Sequence, residues 1–564
     1  MTASAKSPHR GFVAVAVCVA GLLAYANSFT NGFVWDDASS VLLHKHVQDP
    51  GQFFQLFRED QHAFGRGQGN FYRPLVSASF MLDFALARST LFPASAGHIP
   101  DISPFLFHVT NLVWHVAAAL LLLALLARLD APPLVSVCVP LLYVVHPLHT
   151  EAVTYISGRA DPMSASFMFL ALWFGLAGRT PVRRMAAAAG CWISFAAALL
   201  CKESAFVLPA LLLLAVFIPA RRDDSGAPTG LIQRLIPAIG AFAILAVYAF
   251  LRSGPLNFVK ASAPEAAAPF DQRLVETGQA FASYLGLVFA PTHLHMERAL
   301  TGAPVWLAGA GYLLMVAGIA GAVIAYRLGQ RRITLGLAWF LITWLPISGL
   351  FPLNAPMAEH WMYVPLAGFL WALAELLALT WRSGFARAAI PAAVFAALLV
   401  FVTLTAQRNR DWRSNESLYS ATLDENPNSA RVHFNLAVTY EDILKNLPGA
   451  RRHYRSVLAL AARKGAGAVS TNEEIESHLS LGQIALKLGD YQDAAQHFQP
   501  LLALPVTDST RPIIATAALG IGKCFLGVGD IQKAAASFEQ AAIIPEFKAE
   551  TDSLIAGKML PGAI

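Results

Sequence analysis

Residues 105–127 read FLFHVTNLVWHVAAALLLLALLA, twenty-three consecutive positions without a single charged side chain. A helix of about 20 apolar residues, rising 1.5 Å per residue, spans the roughly 30 Å hydrocarbon core of a bilayer. The run is not uniformly apolar, because His108, Asn111 and His115 recur at i, i+3 and i+7 on one helix face. Polar groups in a spanning helix are costly and turn toward the bundle interior or a wet cavity. Helix–helix hydrogen bonding and ligand contact both account for such a face.

Ten further apolar runs surround this one, near 11–27, 133–149, 163–178, 186–200, 204–219, 235–251, 304–326, 333–351, 361–381 and 388–406. Eleven spans are therefore expected. The first run ends in Ala24-Tyr25-Ala26, which has the form of a signal-peptide cleavage site. It is read as a retained helix, since everything downstream is membrane-embedded too. A shorter apolar segment at 274–290 is flanked by charge and is read as a re-entrant or surface helix.

Of 564 residues, 56% are hydrophobic and 14% charged. Soluble domains carry about 25% charged residues, so a purely soluble protein is excluded. The charge is unevenly spread. Residues 1–404 hold 25 Lys/Arg and 19 Asp/Glu, whereas the 160 residues that follow hold 16 and 17, a soluble density. The net charge of +5 gives no surface stripe, because basic residues sit in short loops, and a nucleic-acid partner is excluded. Five cysteines, three of them inside apolar runs, form no disulfide framework and read as packing residues.

The basic clusters set the orientation. If 274–290 does not cross, one side receives Lys6, Arg10, Arg128, Arg179, Arg183, Arg184, Arg221, Arg222, Arg234, Arg327, Arg331, Arg332, Arg382 and Arg387, against only Asp130, Asp223 and Asp224. The other side receives 15 of the 19 acidic residues of this part. By the positive-inside rule the N-terminus is cytoplasmic and the C-terminal part lies outside. A bacterial inner membrane is expected, with the tail periplasmic.

That tail repeats itself. FNLAVTYEDILKNLPGARRHYRSVL, LSLGQIALKLGDYQDAAQHFQPLL and LGIGKCFLGVGDIQKAAASFEQAA share small residues where two helices touch, an aromatic between them, and Gly-Asp at the turn in two of the three. The pattern resembles the tetratricopeptide repeat, although Leu436, Leu481 and Ile521 are 45 and 40 residues apart, wider than the usual period of about 34. Such arrays bind proteins or extended peptides. The expected organisation is a membrane domain at 1–406, with a first outer loop at 28–104, a linker at 407–428, and a repeat domain of about three copies at 429–564.

Ionisable residues gather at the outer ends of the spans. Asp36 and Asp37 form an acidic pair in which one carboxylate has a raised pKa and can take a proton from an alcohol. Arg73 follows in FYRPL, and then comes the segment His146-Pro-Leu-His149-Thr-Glu151 with Tyr155, Gly158, Arg159 and Asp161. Two histidines and a carboxylate within six residues are a possible divalent-metal set, although Pro147 interrupts them and the spacing is not that of a zinc motif. Arg159 at the membrane edge suits a phosphate. Lys202-Glu203 sits at another helix end, and His293, His295, Glu297, Arg298, Glu359 and His360 complete the set.

Taken together, WDD at 35–37, YRPL at 72–75, FHVTNLVWH at 107–115, HPLHTEAVTYISGRAD at 146–161, KES at 202–204, AEHWMYVPLAGF at 358–369 and the repeats behind them resemble a known family. It is that of the transmembrane, tetratricopeptide-repeat-containing O-mannosyltransferases and their bacterial relatives, within the GT-C class of glycosyltransferases. The chain departs from the pattern at Glu359-His360, where relatives often have Glu-Arg, and at Glu297, where many have Asp.

The resemblance implies an all-α, GT-C-like membrane bundle followed by a tetratricopeptide solenoid. It also implies an inverting transfer of sugar from a polyprenyl-phosphate donor to a Ser/Thr hydroxyl of a protein held by the repeats. Asp36 or Asp37 would be the base, and Arg159, Lys202, Arg298 and His149 would hold the leaving phosphate. Arg73, His108, His146, Glu151, Asp161, Glu203, Glu297, Glu359 and His360 complete the candidate site. Two alternatives stand beside this: transfer to a lipid or envelope glycan, and a non-catalytic membrane scaffold built on the repeats.

Overall fold

The computed structural model describes residues 9–65, 70–88, 102–177, 181–217, 230–256, 258, 269–300, 302–381, 384–464, 470–542, 544, 548, 551–552 and 554. Lys6, Arg179, Arg221, Arg222, Asp223, Asp224 and Arg382, used above for orientation, lie outside the described residues. Among the described residues there is no strand, only a single bridge between Arg298 and Met357. The chain forms two compact units, residues 1–418 and 419–564.

The first unit is a helical bundle. Its helices are α1 (His9–Tyr25), α2 (Pro74–Ala87), α3 (Phe105–Arg128), α4 (Pro133–Val145), α5 (Ala160–Gly175), α6 (Pro181–Cys201), α7 (Leu208–Leu213), α8 (Leu231–Ser253), α9 (Phe270–Phe289), α10 (Val305–Arg327), α11 (Arg331–Trp344), α12 (Tyr363–Thr380) and α13 (Gly384–Asp411). All eleven apolar runs fall on helices. Among the described residues, however, only seven single helices are long and apolar enough to cross a membrane, or eight if the pair bent by 50° at Pro147 is one span.

Of the four remaining runs, 163–178 lies on α5, only 16 residues long, and the other three meet a proline, which lacks a backbone donor. Pro147 ends the run that begins with α4, Pro209 opens the short α7, and Pro346 follows α11. The polar residues just beyond Pro147 belong to the site described below.

Contacts sort the helix ends into two sets. At one end Arg128 lies over Trp173 at 3.9 Å, Arg332 pairs with Glu375 at 3.0 Å and donates to the Asp130 carbonyl, Arg184 bonds Gln233, and Phe217 meets Tyr326 edge-on. At the other end Asn27 donates to the Ala406 carbonyl, Asn31 to Asn409, and Arg252 to Asn70. The chain alternates between a basic end and an end that collects carboxylates and histidines.

Helix α9 does not join that alternation. Tyr312 donates to Leu274, Gln279 donates to the Ala303 carbonyl, Phe281 packs on Trp344 at 4.7 Å, and the carbonyl of Val288 faces His146 at 3.0 Å. These partners lie in the loop before α10 and its first turns, the last turn of α11 and the loop after α4. Helix α9 is not among the helices long and apolar enough to cross a membrane. Gly278 and Gly311 let it cross α10 backbone to backbone, since a Cβ on either would collide with the other chain segment. Leu313, Val316, Ile319 and Val323 on α10 stay exposed, an apolar face that only lipid suits.

The second unit is a tetratricopeptide solenoid. After α14 (Asn415–Glu425), which occupies most of the expected linker, come α15 (Ala430–Val438) with α16 (Leu447–Lys464), α17 (Thr471–Lys487) with α18 (Tyr491–Leu502), and α19 (Arg511–Gly527) with α20 (Ile531–Ala541). Gly489 and Gly529 take φ of +75° and +85°, which a side chain resists, and so close the turns of the second and third pairs. The next residues, Asp490 and Asp530, cap the following helices by accepting from the N–H groups of Asp493 and Lys533. Gly482 leaves room for Phe498, whose ring atom would lie 2.6 Å from a Cβ there.

Candidate active site

The segment 146–161 folds back on itself at the carboxylate-rich end. Pro147 stops α4, two short helical turns follow, and α5 starts at Ala160. Gly158 makes the turn tight, since a Cβ there would stand 2.5 Å from the Glu151 carbonyl. The fold sends Ser157 and Arg159 to one side and Glu151 to the other, so one segment serves two polar clusters.

The first cluster centres on Asp37. This side chain is fully buried; Oδ1 accepts from the Ser157 N–H at 2.8 Å and from Ser157 Oγ at 2.7 Å, and Oδ2 accepts from the Val34 N–H at 3.0 Å. Burial raises its pKa to about 7 against those stabilising bonds, with the Asp36 charge adding to the rise. Asp36 itself is half-buried. Trp35 beside it has φ of +52°, a left-handed conformation costly for an aromatic residue. A stack of Trp35 on Tyr155 at 5.4 Å, and Tyr155 on Trp412 at 5.3 Å, holds that conformation and fixes the direction of both carboxyls.

From Asp36 the network continues outward. Ser39 donates to the Asp36 carbonyl and shares the Nδ1 of His62 with Ser40, at 2.8 and 3.0 Å. Burial, with Arg73 nearby, holds His62 neutral by lowering its pKa to about 3. Arg73 grips Glu203 with two N–H groups at 2.8 and 3.2 Å, and Lys202 Nζ sits 2.7 Å from both oxygens of Asp161. Lys202 and Glu203, adjacent in sequence, thus pair with different partners rather than with each other.

Arg159 is wholly buried and committed inside the protein. It pairs with Asp83 at 2.6 Å and donates to Asn111 Oδ1, Ser79 Oγ and the Phe107 carbonyl at 2.5, 2.7 and 2.9 Å. Its ring of acceptors makes it a brace between α2, α3 and the 146–161 segment, not a side chain turned toward a phosphate. The polar face of α3 serves the same frame. His108 bonds the Asn31 carbonyl at 3.1 Å, Asn111 donates to the carbonyls of Val153, Tyr155 and Ile156, and His115 meets the Tyr363 hydroxyl at 2.6 Å.

The second cluster holds Glu151, Glu359, His360, Arg298 and Arg408. Glu151 accepts from the His360 N–H at 3.1 Å and lies 2.9 Å from its Nδ1. Glu359 accepts from Arg298 at 3.0 Å and from the His295 N–H at 2.6 Å, and faces Arg408 at 3.6 Å. The buried Arg408 keeps Nε and Nη2 without a hydrogen-bond partner, and Glu359 Oε2 is likewise unmatched. Glu297 is half-buried next to Arg298.

His146 and His149 turn to backbone carbonyls, Val288 at 3.0 Å and Tyr143 at 2.9 Å, while Glu151 turns to His360. The possible metal set of 146–151 is thus dispersed, and among the described residues no three His, Cys, Asp or Glu side chains gather around one metal position.

Sequence reading missed four residues that build this site: His62, Asp83, Ser157 and Arg408. Asp83 interrupts PLVSASFMLDFALA, which is otherwise apolar, and a carboxylate in such a run signals a buried cation partner. The others carry no local signal.

Fold and site define a polytopic, all-α integral membrane protein with two clusters of charged side chains at one end of its bundle and a tetratricopeptide array in its C-terminal unit. The tetratricopeptide repeat family model matches residues 404–466 and 479–549. The chain is 25% identical over 493 residues to protein O-mannosyl-transferase TMTC4 of Mus musculus, covering 77% of this chain and 64% of that protein. It is 25% identical over 580 residues to protein O-mannosyl-transferase Tmtc3 of Drosophila melanogaster, covering 88% and 59%. The chain thus spans about three-fifths of the length of these relatives, which carry the family name that the motifs resemble. Among solved structures, ArnT from Cupriavidus metallidurans bound to undecaprenyl phosphate aligns with 94% of this chain and 78% of its own, at 12% identity and a TM-score of 0.37. That likeness is too loose to place a residue or a ligand.

Proposed function

We propose that the chain is a membrane glycosyltransferase that moves a sugar from a polyprenyl-phosphate donor to a Ser/Thr hydroxyl of a protein. The carboxylate-rich end faces outward across a bacterial inner membrane, and the basic end faces the cytoplasm. The observation that carries the reading is the acidic pair: a fully buried Asp37 with its pKa raised to about 7, beside a half-buried Asp36. Its relatives' name, protein O-mannosyl-transferase, supplies the reaction class.

In this mechanism the two carboxyls divide the work. Both oxygens of Asp37 accept hydrogen bonds from the protein, so it aims the turn. Asp36, half-buried and therefore partly exposed, takes the proton of the acceptor hydroxyl as its oxygen attacks the anomeric carbon. The bond from that carbon to the phosphate oxygen breaks through an oxocarbenium-like state, and its electron pair leaves on the phosphate. A single displacement inverts the configuration. Developing charge on the leaving polyprenyl phosphate is met by fixed cations, which count most in the transition state. Arg73 stands near His62 of the Asp36 network and Lys202 pairs with Asp161, while Arg298 and Arg408, the latter with Nε outside any hydrogen bond, stand in the second cluster.

The repeats hold the acceptor near the membrane unit and raise its effective concentration. The test is transfer of polyprenyl-phosphate-linked mannose to Ser/Thr peptides and to whole acceptor protein in membrane vesicles. Asp36→Asn abolishes both reactions; retained activity in Asp36→Asn and in Asp37→Asn would overturn the base assignment. Deleting 425–564 spares transfer to small acceptors and abolishes it to protein. Glycopeptide mass spectrometry of cells with and without the gene identifies sugar and acceptor together.

A further inference from the structure

Each of the first two repeats carries a histidine pair between its own two helices. His433 on α15 and His453 on α16 bring their Nδ1 atoms to 2.9 Å, and His478 on α17 and His497 on α18 bring theirs to 3.2 Å. The positions are equivalent. His433 and His478 each stand three residues before Leu436 and Leu481, and His453 and His497 each immediately precede the aromatic residues Tyr454 and Phe498. The third repeat has Ala518 and Ser537 at the corresponding places, so its helices pack without a pair. The same chemistry placed twice by the repeat register is a built feature of the array, and the membrane reaction makes no use of it.

The atoms present suit a cation. Zinc–imidazole bonds are about 2.0–2.1 Å, so nitrogens 2.9 and 3.2 Å apart subtend roughly 90° and 100° at one ion, between square-planar and tetrahedral angles. In the first pair His433 Nε2 faces the Pro427 carbonyl at 3.2 Å. A carbonyl only accepts, so Nε2 carries the proton of neutral His433 and Nδ1 offers a lone pair. His453 Nδ1–H then donates to it, and moving that proton to the other nitrogen of the same neutral ring frees a second lone pair. Tyr440 stacks on His453 at 5.6 Å and sets the ring plane. No net proton leaves, and a small ring rotation turns two nitrogens sharing a proton into two ligands sharing an ion.

We propose that the two histidine pairs are bis-imidazole sites for a divalent transition ion such as Zn²⁺, one per repeat, with water completing each coordination shell. All four rings are half-buried, so an ion reaches them from solvent. The charges around them differ. Arg452 faces the first pair, whereas Glu474 and Asp493 act on the second, with Asp493 Oδ1 3.7 Å from His497 Nε2 and held by Arg451 and Arg455. The carboxylates favour the ion at the second site, which fills first. A bound ion pins the two helices of each repeat to one another and stiffens the array.

The experiment is zinc titration of the tag-free, full-length chain in detergent, read by bound metal per chain and by the midpoint of thermal unfolding. Two ions bind to the unmodified chain. His453→Gln and His497→Gln each retain one, and the double variant retains neither and loses the zinc-dependent rise in Tm, while circular dichroism without zinc stays unchanged. His433→Gln and His478→Gln reproduce the losses from the opposite helix of each pair. Equal zinc in the double variant and the unmodified chain, or no zinc in the unmodified chain, overturns the proposal and leaves the pairs as hydrogen bonds. A double variant with altered circular dichroism is replaced by the opposite-helix pair, whose stoichiometry decides in the same way.

Discussion

Asp37 and Ser157, 120 residues apart in the chain, meet through two hydrogen bonds to one carboxylate oxygen, at 2.7 and 2.8 Å. Those bonds favour the charged form and hold the pKa down, while burial disfavours that form and prevails, placing the carboxyl at about 7. The folded chain therefore holds a proton on Asp37 between roughly pH 4 and 7 that the unfolded chain has released, so this group's contribution to stability falls as pH rises through that window. Asp37→Asn removes that slope from the pH dependence of Tm. Ser157→Ala raises the Asp37 pKa further and moves the upper end of that window in the pH dependence of Tm to higher pH.

Arg159 and Asp83 form a buried ion pair, and removing one partner leaves the other charged and dry. Arg159→Met or Asp83→Leu alone costs about 3–5 kcal/mol and is read as lost folded protein. The double substitution recovers much of that loss. A double variant no better than either single one contradicts the pairing as the source of the cost.

Gly158 has no room for a side chain. Gly158→Ala drives a methyl into the Glu151 carbonyl, costs about 1–3 kcal/mol, and displaces Ser157 and Arg159 together. The expected reading is a lower Tm with a larger fall in kcat than in substrate affinity.

The end-to-end sorting of charge sets a topology that labelling can check. A cysteine introduced at Asn428 reacts with an impermeant maleimide in spheroplasts, and one at Arg331 does not. The reverse pattern inverts the assignment of the two ends.

In the second unit Gly489→Ala forces a side chain into a left-handed turn and costs about 1 kcal/mol, lowering Tm without touching the membrane unit. Transfer to small acceptors is expected to stay at its unmodified rate.

Composition and hydrophobic runs were enough for the membrane bundle and the repeat array, because burial in lipid and helix-pair packing are imposed locally on every turn. The end that gathers carboxylates was readable too, since position between runs decides it. Pairing was not readable. Arg73 finds Glu203, Lys202 finds Asp161, Arg298 finds Glu359 and Glu151 finds His360, across separations that no local rule spans. Arg159 looks like a phosphate ligand in sequence and is a brace in the fold, because its acceptors come from α2 and α3. Arg408 looked like the start of a linker and reaches the second cluster only because α13 packs along α1 and α4 to the turns after Pro147. The chain by itself determined which residues are charged near which membrane surface; tertiary packing alone decided which charges are spent on one another, because an ion pair's partner depends on distance in space and not along the sequence.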